Sequence, residues 1–261
     1  MSILSKLFGF SKDKGASSEQ VSAATTDWSF LGTDMHSHLV PGVDDGAQTV
    51  EDSIVLIEKL QSMGFKSLVT TPHIKYDHYP NSTATIQQGL KELRLALAER
   101  NIDMPIQAAA EYYIDNHFMD LLEAKELMTV TDNQVLVEIS FMVEPMRFHD
   151  ILFQIQMAGY RPILAHPERY GFYHGKPDAY RELKNRGCLL QLNVLALTGY
   201  YGKPVKLAAE KNLKEGLYSY CGTDMHHVKH ADIIYGMMSS GIAGELQRYP
   251  FLNSKLAPSV I

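Results

Sequence analysis

The chain has 261 residues, 24 basic and 30 acidic, a formal charge of −6 and 45% apolar content, which suits one large soluble domain or two small ones with ample core. The acidic balance, without any basic block, argues against nucleic acid as a partner, and no apolar run approaches the ~20 residues of a membrane span. Two cysteines, Cys188 and Cys221, are too few for a disulfide framework, and with no secretory signal visible a reducing cytoplasm is the expected compartment.

Residues 1–30 differ in composition from the rest. The run 1–12 is weakly amphipathic and 11–26 is rich in Ser, Ala, Thr and Lys, which predicts a mobile tail, with a short membrane-surface or partner-binding helix as the alternative. Residues 31–261 are expected to form the folded domain. Apolar runs of strand length fall at 32–38, 67–72, 105–111, 134–140, 161–166, 188–194 and 218–225. Thr49-Val50-Glu51-Asp52 has the form of a capping box, and Ile54, Ile57 and Leu60 follow at helical spacing before Gly64 stops the helix. Further helices are predicted over 82–100, 115–126, 147–159, 176–187, 203–214 and 229–240. Strands that alternate with helices predict a parallel α/β architecture. At this length a closed or distorted seven-stranded (β/α)7 barrel is favoured over an open sheet, although periodicity alone does not decide between them. The last stretch, 252–261, has little pattern and is expected to close over the barrel.

The chemistry gathers at the ends of these strands, where β/α barrels place their functional residues. The first strand runs through Asp34-Met35-His36-Ser37-His38, whose alternate side chains share one face, into Pro41-Gly42-Val43-Asp44-Asp45-Gly46. The second runs into His73, the third into Glu111 and the fourth into Glu138. The fifth runs into His166-Pro167-Glu168-Arg169, and the last into Asp224-Met225-His226. A single histidine after an apolar run is usually hydrogen-bonded structure, and Glu111 or Glu138 alone reads as a solvated strand end. Together they are harder to dismiss. Each buried, unpaired carboxylate costs several kcal/mol, so a ring of them calls for cations. Imidazole and carboxylate suit zinc, manganese or iron. His36, His38, Asp45, His73, Glu111, Glu138, His166, Asp224 and His226 are therefore candidate ligands for two or three divalent ions. Such ions acidify water and clamp the oxygens of a phosphoryl transfer. Arg169, just past His166, suits phosphate oxygens, with a surface salt bridge as its plainer reading. Asp34 is a candidate for orienting a ligating histidine. Of the neighbours Asp44 and Asp45, only one is expected to face the metals.

These segments resemble the PHP (polymerase and histidinol phosphatase) superfamily of metallophosphoesterases, over about residues 32–252. His36 through Gly46, Ala110-Glu111-Tyr112-Tyr113, Glu138-Ile139-Ser140-Phe141 and His166 through Tyr170 are similar to its capsule-biosynthesis branch, the CpsB/YwqE-like tyrosine-protein phosphatases. The resemblance implies a distorted seven-stranded barrel with a trinuclear, usually manganese-dependent centre, iron or zinc being alternatives, and it selects Asp45 over Asp44. By position it assigns His36, His38, Glu111 and Asp224 to one ion, Glu111, Glu138 and His166 to the next, and Asp45, His73 and His226 to the third. Metal-activated hydroxide would attack phosphotyrosine while Arg169 neutralises the phosphoryl oxygens. The implied partner is the tyrosine-rich tail of a bacterial kinase controlling capsular or exopolysaccharide synthesis. Relatives often carry an arginine just after the last Asp-x-His motif; here Lys229 stands nearby as a candidate substrate contact without bidentate geometry. A cysteine-dependent tyrosine phosphatase would need an arginine six residues past its cysteine, where Cys188 and Cys221 have Val194 and His227. The alternatives are a small-molecule phosphatase, such as one acting on histidinol phosphate, and a non-catalytic binding module that retains metals for stability.

Overall fold

In the computed structural model, which describes residues 26–176 and 178–256, strands and helices alternate along the chain. Among the described residues there are nine strands: β1 Thr33–Asp34, β2 Ser67–Thr70, β3 His73–Ile74, β4 Ile106–Ala108, β5 Glu111–Tyr113, β6 Gln134–Glu138, β7 Arg161–Ala165, β8 Leu189–Asn193 and β9 Tyr220–Gly222. They pair in parallel throughout, in one sheet of order β1-β2-β4 and another of order β3-β5-β6-β7-β8-β9. The helices are α1 Val50–Ser62, α2 Thr83–Glu99, α3 Asn116–Ala124, α4 Phe148–Met157, α5 Ala179–Asn185, α6 Lys203–Lys214, α7 Val228–Ser239 and α8 Ile242–Leu246.

The parallel α/β class is as predicted, but the described residues form two sheets and not one closed seven-stranded barrel. The predicted strands 67–72 and 105–111 each break in two, at Thr71-Pro72 and at Ala109-Ala110. Proline has no N–H for the ladder, and Thr71 N turns to donate to Ser37 O at 2.7 Å. The pieces stay tethered across the break, with Ala109 N donating to Thr70 O at 2.9 Å and Glu111 N to Pro72 O at 3.1 Å. An isolated parallel bridge between Ser37 and Met225 links the chain beyond β1 to the chain beyond β9.

Local chemistry explains the helix starts. Thr49 Oγ1 accepts from Asp52 N at 3.1 Å and Asp52 Oδ2 accepts from Thr49 N at 3.0 Å, the reciprocal box that stabilises a helix start by about 1 kcal/mol. Ile54, Leu56, Ile57 and Leu60 of α1 are buried in the main core between strands and helices. A second apolar cluster, which includes Met35, Val69, Ala109, Leu136, Ile163 and Leu189, is drawn from one face of the strands. Two residues further along, on the same face, stand Glu111 after Ala109, Glu138 after Leu136 and Gln191 after Leu189. An apolar layer thus lies directly beneath a polar one.

One boundary expectation needs correction. The tail expected over 1–30 falls outside the described residues as far as residue 25, but residues 26–30 belong to the folded body. Trp28 is fully buried, donates its backbone N–H to Met63 O at 2.8 Å and stacks on Phe65. At the other end, Leu256 is buried against the second apolar cluster, and Asn253 Nδ2 donates to Thr33 O at 3.0 Å and Cys221 O at 2.6 Å. The stretch 252–256 therefore packs against β1 and β9, while 257–261 lie outside the described residues.

Candidate metal centre

Backbone pairing beyond the strand ends brings the two histidine-rich segments together. Asp224 N donates to His36 O at 2.8 Å, and His38 N donates to Met225 O at 2.9 Å. The approach is close enough that a Cβ on Gly222 would lie 2.6 Å from the His36 Cβ. His166 and Asp224 adopt left-handed backbone, with φ 32° and 50°. Non-glycine residues reach this region uncommonly, aspartate more readily than histidine, and backbone strain is often found at functional sites. Asp34 does not orient a histidine as expected. Its carboxylate accepts from Thr223 N at 2.9 Å and Thr223 Oγ1 at 2.7 Å, which anchors the turn leading to Asp224, and burial pushes its carboxyl up to about 6.

Four ligand atoms converge at the centre. His36 Nε2 lies 3.4 Å from His38 Nε2, 3.2 Å from Glu111 Oε2 and 3.4 Å from Asp224 Oδ1. His38 Nε2 lies 3.5 Å from Glu111 Oε2 and 3.4 Å from Asp224 Oδ1. Neighbouring ligands about 2.1 Å from a common ion lie about 3.0–3.5 Å apart, so these spacings fit a metal ion of zinc or manganese size. The opposite nitrogens of both rings are already held: His36 Nδ1 donates to Gln191 Oε1 at 2.9 Å and His38 Nδ1 to Asp44 Oδ2 at 2.7 Å. Such partners fix the tautomer that leaves Nε2 free to ligate.

The other candidates surround this group. Glu111 turns its second oxygen, Oε1, to His166 Nε2 at 3.0 Å, and Glu138 Oε1 lies 3.7 Å from the same nitrogen. Asp45 Oδ1 stands 3.6 Å from both His73 Nε2 and His226 Nε2. Ligand atoms of His38, Asp45, His73 and His226 lie within 4.8 Å of one another, as do those of His36, Glu111 and His166, and those of His36, His38 and Asp224. All nine predicted ligands thus meet at one place. Asp45 sits at its exposed rim, whereas Asp44 is buried and also accepts from His73 N at 3.0 Å and Gly46 N at 2.9 Å.

The charge states suit cations. Burial opposes ionisation of Glu111, yet His36 and His73 hold it well below the usual carboxylate range. Burial likewise opposes Asp224, where His36 and His226 prevail. Glu138 is pushed well up, by burial first and by Glu111 second. Burial brings His73 down to about 4 and also lowers His166, so both are held as the neutral imidazoles that ligation requires. Burial disfavours charge on His36 too, but Glu111 and Asp224 raise it to about 9. Among the described residues the buried Nδ1 of His166 has no hydrogen-bond partner, an arrangement that is costly inside a protein, and the Nδ1 of His73 faces Glu111 Oε2 at 3.2 Å. On spacing, ring orientation and charge, the donor set fits divalent metal.

Above the ligands opens a cavity of about 410 Å³. Arg169 reaches it from the turn after β7. Its Nη1 donates to Asp224 Oδ2 at 3.1 Å, and its guanidinium lies 4.5 Å from the Phe141 ring centroid and 4.4 Å from that of Tyr201. A surface salt bridge does not describe it. Lys229, by contrast, is exposed, with Nζ 5.5 Å from the Tyr200 ring centroid.

Several site residues escaped the sequence reading. Asn193 ends β8, the one predicted strand without a terminal histidine or acid, and its Nδ2 donates to Asp224 Oδ2 at 2.8 Å. Gln191 interrupts the apolar run Leu189-Leu190-Gln191-Leu192, a signal visible in the sequence. Lys75 and Tyr201 line the cavity and carried no signal of their own, while Phe141, which also lines it, figures in the sequence only as the end of the Glu138 motif.

The profile of the CpsB/CapC family, described as capsular polysaccharide synthesis, matches residues 32–232. The chain is 27% identical over 197 residues to tyrosine-protein phosphatase YwqE of Bacillus subtilis (strain 168), covering 75% of this chain and 78% of that protein. It is 29% identical over 201 residues to tyrosine-protein phosphatase CpsB of Streptococcus pneumoniae, covering 75% and 83%. Its fold resembles a solved structure from work on YwqE of Bacillus subtilis and CpsB of Streptococcus pneumoniae, there called metal-dependent tyrosine phosphatases, with TM-score 0.75, 23% identity and 85% and 90% of the two chains covered.

Proposed function

The chain belongs to the CpsB/CapC family of capsular polysaccharide synthesis, and from that premise we propose that it is a metal-dependent protein-tyrosine phosphatase. The observation that carries this reading is the convergence of His36, His38, Glu111 and Asp224 beneath a cavity that Arg169 enters. Two or three divalent ions are held there, manganese with iron or zinc as alternatives. His36, His38, Glu111 and Asp224 take one, Glu111, Glu138 and His166 the next, and Asp45, His73 and His226 the third. Bound divalent ions supply Lewis-acid charge to phosphoryl oxygens and acidify water to a nucleophile near neutral pH. Gln191 and Asp44 hold the ligating rings in register, and Asn193 and Arg169 together hold Asp224. Arg169, braced between Phe141 and Tyr201, keeps its guanidinium in place to meet the phosphoryl oxygens as charge develops. Lys229, at the rim over Tyr200, draws the anionic substrate toward the cavity.

The named relatives support phosphotyrosine on a protein as substrate, and the tail of a bacterial tyrosine kinase is the partner that capsule synthesis suggests. No helix among the described residues is long and apolar enough to cross a membrane, and the compartment proposed is the cytoplasm. In this reading the nine strands are seven βα units of a distorted barrel, two of them interrupted. The test is hydrolysis of a phosphotyrosine peptide against histidinol phosphate by pure protein, with and without chelator. Preference for the peptide and loss of activity on chelation are expected. A strong preference for histidinol phosphate overturns the substrate, and full activity in metal-stripped protein overturns the mechanism.

A further inference from the structure

We propose that Lys75 is a second cation gripping the phosphoryl group, acting with Arg169; this deepens the phosphatase reading and rests on it. Strand alternation puts Lys75, two residues past His73, on the same face as that candidate ligand. The register of β3 and β5 pairs His73 with Glu111 and Ile74 with Tyr112, so Lys75 follows beside Tyr113, and Tyr113 in turn pairs with Glu138. In parallel strands the higher-numbered row lies nearer the C-terminal mouth. Lys75, Tyr113 and Glu138 therefore form the row just above His73 and Glu111.

The side chain is positioned accordingly. Lys75 lines the same cavity as Arg169. Among the described residues its ammonium is held by the Tyr113 ring, 4.3 Å from the centroid, and not by a carboxylate. A tight turn fixes its backbone, with Lys75 N donating to Tyr79 O at 3.0 Å and Tyr79 N to Lys75 O at 2.8 Å. A phosphomonoester carries roughly −2 at neutral pH, while Arg169 already shares its one positive charge with Asp224. An ammonium carries three rotatable donors on a flexible stem and can adjust to the phosphoryl oxygens, whereas the braced guanidinium holds its place.

The test is inorganic phosphate binding by calorimetry, with metal content measured in parallel, on the protein carrying its divalent ions. Lys75→Met is expected to weaken phosphate about tenfold or more at unchanged metal content and to raise KM for a phosphotyrosine peptide. Lys75→Arg is expected to stay within about threefold of the parent, and Lys91→Met, exposed on α2, to match it. Unchanged phosphate affinity in Lys75→Met overturns the inference. So does an equal loss in Lys75→Arg, since the charge would then not be the cause, or a loss that tracks departure of metal, since the residue would then act through His73. A parent protein that binds phosphate but leaves phosphotyrosine peptides intact defeats the proposed function and leaves this inference standing, because binding is read without turnover.

Discussion

Replacing Asp44 with Asn tests whether the rings at the centre are oriented from behind. Asp44 Oδ2 accepts from His38 Nδ1 at 2.7 Å and His73 N at 3.0 Å, and Oδ1 accepts from Gly46 N at 2.9 Å. An Asn side chain has one acceptor oxygen. If that oxygen takes the Oδ2 position, its amide N–H faces the Gly46 N–H; the flipped amide faces His38 and His73 instead. Either way a buried donor is left unpaired, at a cost of about 1–3 kcal/mol in stability. The substitution also removes the negative charge that makes His38 a better ligand. Loss of such a partner typically lowers metal affinity 10- to 100-fold, or about 1.4–2.7 kcal/mol. The assays are competitive chelator titration for affinity and a denaturant melt in excess chelator for metal-free stability. The expected result is a loss in both, with the site still loading at high metal concentration. Metal affinity within twofold of the parent would falsify the claim that Asp44 orients His38 for ligation.

Three further outcomes follow from the same geometry. Arg169→Lys removes the planar fork that donates to Asp224 and packs between Phe141 and Tyr201; kcat on a phosphotyrosine peptide should fall about 10²–10³-fold with the fold intact, and a loss under threefold would show that the guanidinium is not needed. Trp28→Ala empties a fully buried site against Phe65 and should cost about 3–5 kcal/mol in a denaturant melt, whereas a cost under 1 kcal/mol would return residues 26–30 to the tail. In the metal-free chain Glu111 and Asp224 raise His36 to about 9 against the effect of burial, and Asp44 first among its neighbours raises His38, so the His36 ring holds a proton at pH 7.5 that metal must displace. Apparent metal affinity should therefore rise with pH, and calorimetric heats should vary with buffer ionisation enthalpy; heats independent of the buffer would count against this.

Much of the site was legible because its chemistry sits at the ends of apolar runs. His73, Glu111, Glu138 and His166 each follow such a run, and a parallel α/β chain gathers those ends at one mouth. The element order was legible for a related reason: period-two and helical patterns, and signals such as Thr49 to Asp52 and Gly64, are local. Less of the supporting structure could be read. The breaks at Thr71-Pro72 and Ala109-Ala110 divide two predicted strands, and the hydrogen bonds tethering the pieces come from other strands. Trp28 looked like part of a polar tail until the chain around Met63 and Phe65 supplied its pocket.

The sequence by itself determined which residues could bind cations, because residue type and spacing along a strand fix what a side chain can ligate and which face it takes. Only the tertiary structure decided that Asp44 backs His38 while Asp45 reaches the rim, that Asp34 ties down Thr223 rather than a histidine, and that Gln191, Asn193 and Lys75 share the site. Those choices depend on loop dihedrals and on the register between strands far apart in the chain. A shift of one residue in that register would turn each side chain to the opposite face, and no local pattern records it.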